Sequence, residues 1–191
     1  MHAYFTSDLH LGHANICVYC KRPYYDDCDV NEKGRIKRES ALAVADRMTK
    51  DIVRRVNEQA KPDDRIIHIG DFCTHGYANG IEGFRKKPDE YGINAPITHI
   101  LGNHDSNNGV KFGFDRATMH FGKLTFLLEH KPRYVSDGLD GIDCVLCGHV
   151  HDKWDVMWTE DGRILNINVG WDMHGKLLDK SDVVGIYRRN T

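Results

Sequence analysis

The sequence lacks the features that mark membrane and secreted proteins. No apolar run approaches the roughly 20 residues that a membrane-spanning helix requires. Residues Met1–Phe5 lead directly into a strand-like segment and show neither the basic nor the apolar region of a secretory signal peptide. We therefore expect a cytoplasmic protein that has no membrane partner.

The sequence also lacks a strong net charge and any internal repeat. A formal net charge of -2 at pH 7 provides no long-range field for nucleic acid, which disfavours a protein that binds DNA by charge alone. We find no low-complexity tract and no linker, and 191 residues are enough to bury one hydrophobic core. The sequence therefore predicts a single domain over residues 1–191.

The six cysteines include two pairs with the spacing of a zinc ribbon. These pairs are Cys17 with Cys20, on a predicted helix, and Cys144 with Cys147, in an apolar strand-like run. Positions three apart in a strand face opposite sides, so one metal ion does not easily bind both members of the second pair. We therefore disfavour a zinc-ribbon binding module and expect reduced cysteines, as is usual in the cytoplasm.

The hydrophobic pattern first alternates strands and helices and then becomes rich in strands. The clearest helix covers Ile36–Gln59, where apolar residues from Leu42 to Val56 recur at steps of three and four. This order favours an α/β fold in which two sheets pack together with helices outside. The predicted strands are Ala3–Ser7, Arg65–Ile69, Ile97–Leu101, Ala117–Phe121, Leu124–Glu129, Ile142–Cys147, Trp154–Trp158, Ile164–Val169 and Val183–Tyr187, and the further predicted helices are Ala14–Lys21 and Ile81–Lys86.

Polar clusters follow several of these strands at their carboxyl ends. Functional groups gather at this edge of α/β sheets. Carboxylate, imidazole and amide donors together favour Mn, Fe or Zn over Ca or a thiolate-bound metal. Each cluster alone is compatible with an ordinary turn or a surface histidine, whereas the ordered set indicates a metal centre. The clusters are Asp8-Leu9-His10, Gly70-Asp71, Gly102-Asn103-His104-Asp105, Glu129-His130 and Gly148-His149-Val150-His151.

This ordered set resembles the calcineurin-like metallophosphoesterase family, and in particular its small bacterial and phage-type phosphoesterases. The resemblance covers residues 8–151. It departs from the Ser/Thr protein phosphatases of the family after Asp71, which is followed by Phe72-Cys73-Thr74-His75, and at Asp105, where those phosphatases have Glu. The resemblance implies an α/β four-layer sandwich of two mixed β-sheets flanked by helices.

The resemblance also implies two divalent metal ions, with Mn as the first choice and Fe, Zn, Ni or Mg as alternatives. A hydroxide activated by both ions would attack a phosphomonoester or phosphodiester bond, and His104 would act as the general acid. Asp105 would orient His104, and Asn103 and His104 would contact the substrate. The first metal would be held by Asp8, His10, Asp71 and His151, and the second by Asp71, Asn103, His130 and His149.

We expect the substrate to be a small phosphoester, with a nucleotide as one candidate. Arg22 and Arg133 are predicted to bind a substrate phosphate because both lie close in sequence to the clusters. A solvated basic surface would explain these two residues equally well. Trp154, Trp158 and Trp171 offer a stacking face for a base, although core or hairpin packing is the stronger interpretation.

Two other functions are compatible with the same fold. A nuclease acting on DNA or RNA ends would need a longer basic groove, and the net charge of -2 argues weakly against it. A non-catalytic scaffold, such as the retromer scaffold subunit, typically has an incomplete metal site. Here every predicted ligand position carries a competent residue and His104 is present, so the sequence favours a phosphoesterase.

Overall fold

The structure is a computed structural model, and it describes residues 1–74 and 91–191. The helix predicted over Ile81–Lys86 lies outside the described residues. The strands are β1 (Ala3–Thr6), β2 (Arg65–Ile69), β3 (Ile97–Ile100), β4 (Arg116–Phe121), β5 (Leu124–Glu129), β6 (Cys144–Cys147), β7 (Val156–Trp158), β8 (Leu165–Asn168) and β9 (Leu178–Asp179). The α-helices are α1 (Ile16–Tyr19), α2 (Arg38–Gln59), α3 (Trp171–His174) and α4 (Lys180–Asn190), and short 3-10 helices cover Tyr25–Asp27 and Ser106–Asn108.

The strands form two mixed sheets. The first has the order β3-β2-β1-β9, in which β1, β2 and β3 are parallel and β9 is antiparallel to β1. The second has the order β4-β5-β6-β8-β7, in which β5, β6 and β8 are parallel and the two outer strands are antiparallel to their neighbours. The predicted fold class, two mixed sheets flanked by helices, is confirmed.

The hydrophobic core is divided into layers by the two sheets. Phe5 of the first sheet and Phe126 of the second lie in the same buried cluster, which also receives residues of α4. Met48 and Ile52 of α2 belong to a second cluster that covers the other face of the first sheet. A smaller cluster around Val145 lies on the outer face of the second sheet. Both sheets are therefore apolar on both faces, as is usual for parallel strands.

The buried face of α2 differs from the predicted one at a single turn. Leu42, predicted to be buried, is 42% exposed, whereas Ala41 and Val44 are buried. The buried residues of α2 from Ala41 to Met48 recur at helical spacing, and Leu42 lies outside the helix face that they form. No helix in the described ranges is long and apolar enough to cross a membrane.

The prediction of a last strand over Val183–Tyr187 is wrong, because this segment lies inside α4. The Asp179 carboxylate accepts the backbone N–H of Asp182 at 2.8 Å, and the Asp182 carboxylate accepts the N–H of Asp179 at 3.2 Å. This capping box fixes the start of a helix, and Val183 and Ile186 then face the core three residues apart. A short apolar run is compatible with a strand or with a helix, and here the capping box favours the helix.

Candidate metal centre

The carboxyl ends of parallel strands place the polar clusters beside one another. Asp8 follows β1 and Asp71 follows β2, and the two loops continue the pairing of their strands beyond the sheet. The N–H of Asp8 donates to the carbonyl of Gly70 at 2.9 Å, and the N–H of His10 donates to the carbonyl of Asp71 at 3.1 Å. The parallel register therefore fixes the distance between the first two clusters.

The described residues include three groups of donor side chains that could each surround one metal ion, and two of these groups consist entirely of predicted ligands. Within each group, one ligand atom per residue lies within 4.8 Å of the others. Asn103 lies in the exposed loop after β3, next to His104 in sequence. The predicted histidine and aspartate ligands thus come together, and their role as ligands stays a prediction. The two groups of predicted ligands are Asp8, His10 and His151, and Asp71, His130 and His149, and the third group is Cys20, His151 and Asp172.

Asp71 belongs to the second group of predicted ligands and also lies close to His10 of the first. Its Oδ2 atom is 3.3 Å from Nε2 of His130 and 3.7 Å from Nε2 of His10. Its Oδ1 atom accepts the backbone N–H of His104 at 3.0 Å. Two atoms that each lie about 2.1 Å from one ion are about 3–4 Å apart. The spacing around Oδ2 is therefore suitable for a carboxylate shared by two ions.

Buried polar atoms in this site lack hydrogen-bond partners among the described residues. At the predicted ligands these atoms are Oδ1 of Asp8, Nε2 of His10 and Nε2 of His130. The remaining polar atoms of two of these side chains are satisfied: Oδ2 of Asp8 accepts the His149 N–H at 2.9 Å, and Nδ1 of His130 donates to the carbonyl of Ile69 at 2.8 Å. Leaving such atoms unpaired is costly, and a divalent cation would satisfy all of them. The donor set therefore fits a metal ion.

Left-handed backbone conformations are concentrated at the same residues. Side chains other than glycine rarely adopt positive φ, and such strain persists where the surrounding structure enforces it, often at functional sites. Every such residue in the described ranges is a predicted ligand, apart from Lys21. The φ angles are 57° for Asp8, 47° for His10, 46° for Lys21, 60° for Asp71, 70° for His149 and 55° for His151.

The carboxylates give the site an affinity for positive charge. Burial lowers the pKa of His130, but the neighbouring carboxylates of Asp71 and Asp8 outweigh this effect and raise it to about 8. Burial also raises the pKa of Asp71, but its interaction with the neighbouring His130 imidazole reverses the shift and holds the pKa well below its usual range. For His10, burial dominates and lowers the pKa, which favours the neutral imidazole that binds metals.

His104 and Asp105 occupy different environments. The His104 side chain is 59% exposed, and its Nε2 atom is 4.0 Å from Oδ2 of Asp71. Asp105 is buried, and its carboxylate accepts the backbone N–H groups of Asp71, Phe72 and Gly102 at 2.9, 2.9 and 2.7 Å. Asp105 thus joins the loops after β2 and β3, and these bonds do not support its predicted role as the partner that orients the His104 ring.

The two arginines predicted to bind substrate are engaged elsewhere. Arg22 is buried, and its guanidinium is hydrogen-bonded to Asp172 and to backbone carbonyls below the site, so its position does not support contact with a substrate. Arg133 donates two hydrogen bonds to the Glu129 carboxylate, at 2.6 and 3.0 Å, and its side chain is 32% exposed. The geometry gives neither guanidinium a free fork for phosphate.

A sequence model of the calcineurin-like phosphoesterase superfamily domain matches residues 41–181. The chain belongs to this superfamily. The match includes Asp71 and the clusters that follow it but begins after Asp8 and His10, which the fold joins to the rest of the site. Phosphoesterase chemistry that depends on metal ions is the general function of the superfamily, and the residues that converge here suit that chemistry.

The similar proteins found extend over most of the chain. An uncharacterized protein of Methanocaldococcus jannaschii, MJ1445, is 27% identical over 193 residues, which cover 95% of this chain and 93% of that protein. The crystal structure of AQ665, a protein of unknown function from Aquifex aeolicus, has a TM-score of 0.58 at 17% identity and covers 97% of this chain and 98% of that one. The E. coli phosphoesterase YfcE has a TM-score of 0.42 at 16% identity and covers 88% and 78%.

Sequence reasoning missed two residues of this superfamily member that lie beside the site. Asp172 accepts a hydrogen bond from Nδ1 of His151 at 2.8 Å, although it belongs to the short helix α3 rather than to a strand-end cluster. The His13 ring lies 5.5 Å from that of His10, between ring centroids. His13 lies three residues after His10 in sequence, and this closeness to the first cluster was the available signal.

The two sites that the sequence disfavoured, a zinc ribbon and a tryptophan stacking face, are not supported by the described residues. Cys144 lies in the cluster between the two sheets and Cys147 in the cluster on the outer face, so the two thiols point away from each other and a zinc ribbon is not supported. None of the six cysteines forms a disulfide bond. Trp171 is buried and Trp154 packs against the outer cluster, whereas Trp158 is 41% exposed. These positions agree with packing rather than a shared stacking face.

Proposed function

We propose that the chain is a phosphoesterase that hydrolyses a small phosphomonoester or phosphodiester with two divalent metal ions. The observation that carries this proposal is the position of Asp71, whose Oδ2 atom lies between the unpartnered Nε2 atoms of His10 and His130. Membership of the superfamily supports it. The mixed oxygen and nitrogen donors favour Mn, with Fe, Zn, Ni or Mg as alternatives.

The proposed ligands are those of the two donor groups, together with Asn103. Two such ions, when bound, activate water and offset the charge on the phosphoryl oxygens. His104 is exposed beside Asp71, where its ring can donate a proton to the leaving oxygen. Its loop is held on both sides, because the His104 N–H donates to Asp71 and the Asn108 amide donates to the His104 carbonyl at 2.8 Å. Asn103, next to it, would donate to the substrate.

The same proposal includes a cytoplasmic location and a small-molecule substrate, with a nucleotide as a candidate. Reduced cysteines are typical of a reducing compartment, and none of the six cysteines here forms a disulfide bond. The net charge of -2 supports a small substrate over a long nucleic acid.

The proposal is tested by hydrolysis assays on the chelator-treated protein resupplied with Mn, Ni, Zn or Mg. The substrates are a nitrophenyl monoester, a nitrophenyl diester, cyclic nucleotides and labelled oligonucleotides. We expect hydrolysis of a small ester with at least one metal, and loss of it in Asp71→Asn, which keeps the shape of the side chain but removes its charge. His120→Ala removes an exposed imidazole on β4 and serves as the control.

Each result decides between the candidate functions. Activity of Asp71→Asn equal to that of the unaltered protein would contradict the proposed site. Cleavage of the oligonucleotides with no hydrolysis of small esters would identify a nuclease. A protein that binds metal but hydrolyses none of these substrates would favour the scaffold function.

A further inference from the structure

One buried guanidinium connects the backbone below the first donor group to a side chain from a distant part of the chain. Arg22 donates from Nη2 to the carbonyl of Asp8 at 2.7 Å and from Nη1 to the carbonyl of Leu9 at 2.9 Å. Its Nε and Nη2 groups also bind both carboxylate oxygens of Asp172, at 2.7 and 3.0 Å. Arg22 therefore fixes the loop that carries Asp8 and His10.

Asp172 extends this connection to the third member of the same group. Its Oδ2 atom accepts a hydrogen bond from Nδ1 of His151 at 2.8 Å, in addition to the bond from Arg22. With Nδ1 occupied in this way, Nε2 is the nitrogen that remains for a metal ion. A carboxylate bound to the second nitrogen fixes the ring of a histidine ligand and makes it a better donor.

We propose that Arg22 and Asp172 are positioning residues for the first metal ion, a role that rests on the proposed function. Through two side chains they set the positions of Asp8, His10 and His151, which come from opposite sheets. Nothing comparable joins Arg22 to the second donor group in the described residues, where His130 is oriented by the carbonyl of Ile69. Loss of Arg22 or Asp172 should therefore weaken the binding of the first ion more than the binding of the second.

The planar fork of arginine explains why this residue type is suited to the position. It presents parallel N–H groups to a carboxylate and further N–H groups to carbonyls, a geometry that the single ammonium of lysine does not reproduce. Both side chains are only 3% exposed, so the pair is desolvated and water does not readily replace a missing partner. Arg22→Lys therefore removes the fork but keeps the charge.

The test is a Mn titration by calorimetry of the chelator-treated unaltered protein, Asp172→Asn and Arg22→Lys, with electron paramagnetic resonance to detect coupled Mn pairs. We expect two equivalents on the unaltered protein. In both variants the affinity for one equivalent of Mn should fall by about 10–100-fold, since orienting partners of ligands have effects of this size. The affinity for the other equivalent should stay within about twofold. The coupled signal should disappear at Mn concentrations that fill only the tighter site.

Asp46→Asn is the matched control, because Asp46 binds the exposed Lys50 at 2.6 Å on α2, and the substitution should leave both equivalents unchanged. Thermal unfolding of the metal-free proteins shows whether each variant folds. The inference is overturned if both equivalents weaken together, if a variant unfolds and loses both, or if neither changes. Absence of metal binding in the unaltered protein would instead contradict the proposed function.

Discussion

The backbone at the predicted ligands is held in conformations that the residues do not favour on their own. Asp8, Asp71 and His151 have φ angles of 57°, 60° and 55°. Each such angle costs on the order of 1–3 kcal/mol in a residue other than glycine. Asp and His tolerate this region better than most residues, which is one reason why these types occupy the turns. The strain is stored where the proposed metal ions would bind, rather than spread through the fold.

His104 gives the first prediction at the scale of one residue. We expect His104→Ala to lower kcat by about 10²–10⁴-fold while metal content stays unchanged, because the exposed ring is proposed to donate a proton rather than to hold an ion. The measurement is steady-state kinetics with metal analysis of the same samples. Loss of bound metal in this variant would show that His104 has a different role.

Gly148 gives the second prediction at the scale of one residue. A Cβ atom at this position would overlap the Ser7 hydroxyl and Oδ2 of Asp8, so Gly148→Ala should displace the Asp8 carboxylate. We expect weaker metal binding and lower activity, measured by Mn titration and ester hydrolysis. Gly185→Ala makes the same change inside α4, where it should be neutral or stabilise the helix by up to about 1 kcal/mol. Equal effects of the two substitutions would contradict the steric explanation.

At the scale of elements, the sequence predicts the strands and turns that depend on the local pattern of residues. β2 lies over the predicted residues, and the β4–β5 hairpin forms around Gly122, which has a φ of 68°. The C-terminal helix was missed because five apolar-rich residues satisfy a strand template, and the signal that distinguishes them, Asp179 followed by Asp182, lies outside that run. Caps therefore need to be read together with periodicity.

The cap of α4 can be tested directly. We expect Asp179→Ala to lower the free energy of unfolding by about 1 kcal/mol at pH 7, and Asp179→Asn to cost less because it keeps a capping oxygen. Bonds from the Asp182 N–H and the Ser181 hydroxyl lower the pKa of Asp179. Its charged form thus stabilises the fold above the unfolded pKa of about 3.9, and this contribution is lost as the pH falls through the lower folded value.

The measurement is thermal or urea unfolding of both variants at pH 7 and at pH 3. The difference between the unaltered protein and Asp179→Ala should shrink at the lower pH. A difference that grows on acidification would show that the carboxylate is not the stabilising form.

At the scale of the whole molecule, the predicted ligands that follow strand ends could be identified from the sequence, and the residues that support them could not. Asp8, Asp71 and His149 each stand after a strand, and parallel pairing brings such positions together. Asp172 is 150 residues from Arg22 in sequence, and no local pattern reports that contact. Arg22 was predicted to bind substrate because it lies close in sequence to the clusters, and its burial and its partners do not support that contact.

The proposed ions would connect the two sheets, which leads to the last prediction. Asp8 and Asp71 follow strands of the first sheet, whereas His130 and His149 follow strands of the second, so an ion bound between them stabilises only the folded chain. At a free concentration of 100 times Kd, one ion adds about 2.7 kcal/mol to the free energy of unfolding. For a domain of this size, that corresponds to a rise in Tm of about 5–10 °C. Calorimetric unfolding of the chelator-treated protein with and without Mn measures the shift, and Asp71→Asn should lose most of it. An equal rise in Tm for Asp71→Asn would mean that the ions bind elsewhere, and an unchanged Tm of the unaltered protein would mean that Mn does not bind the folded chain.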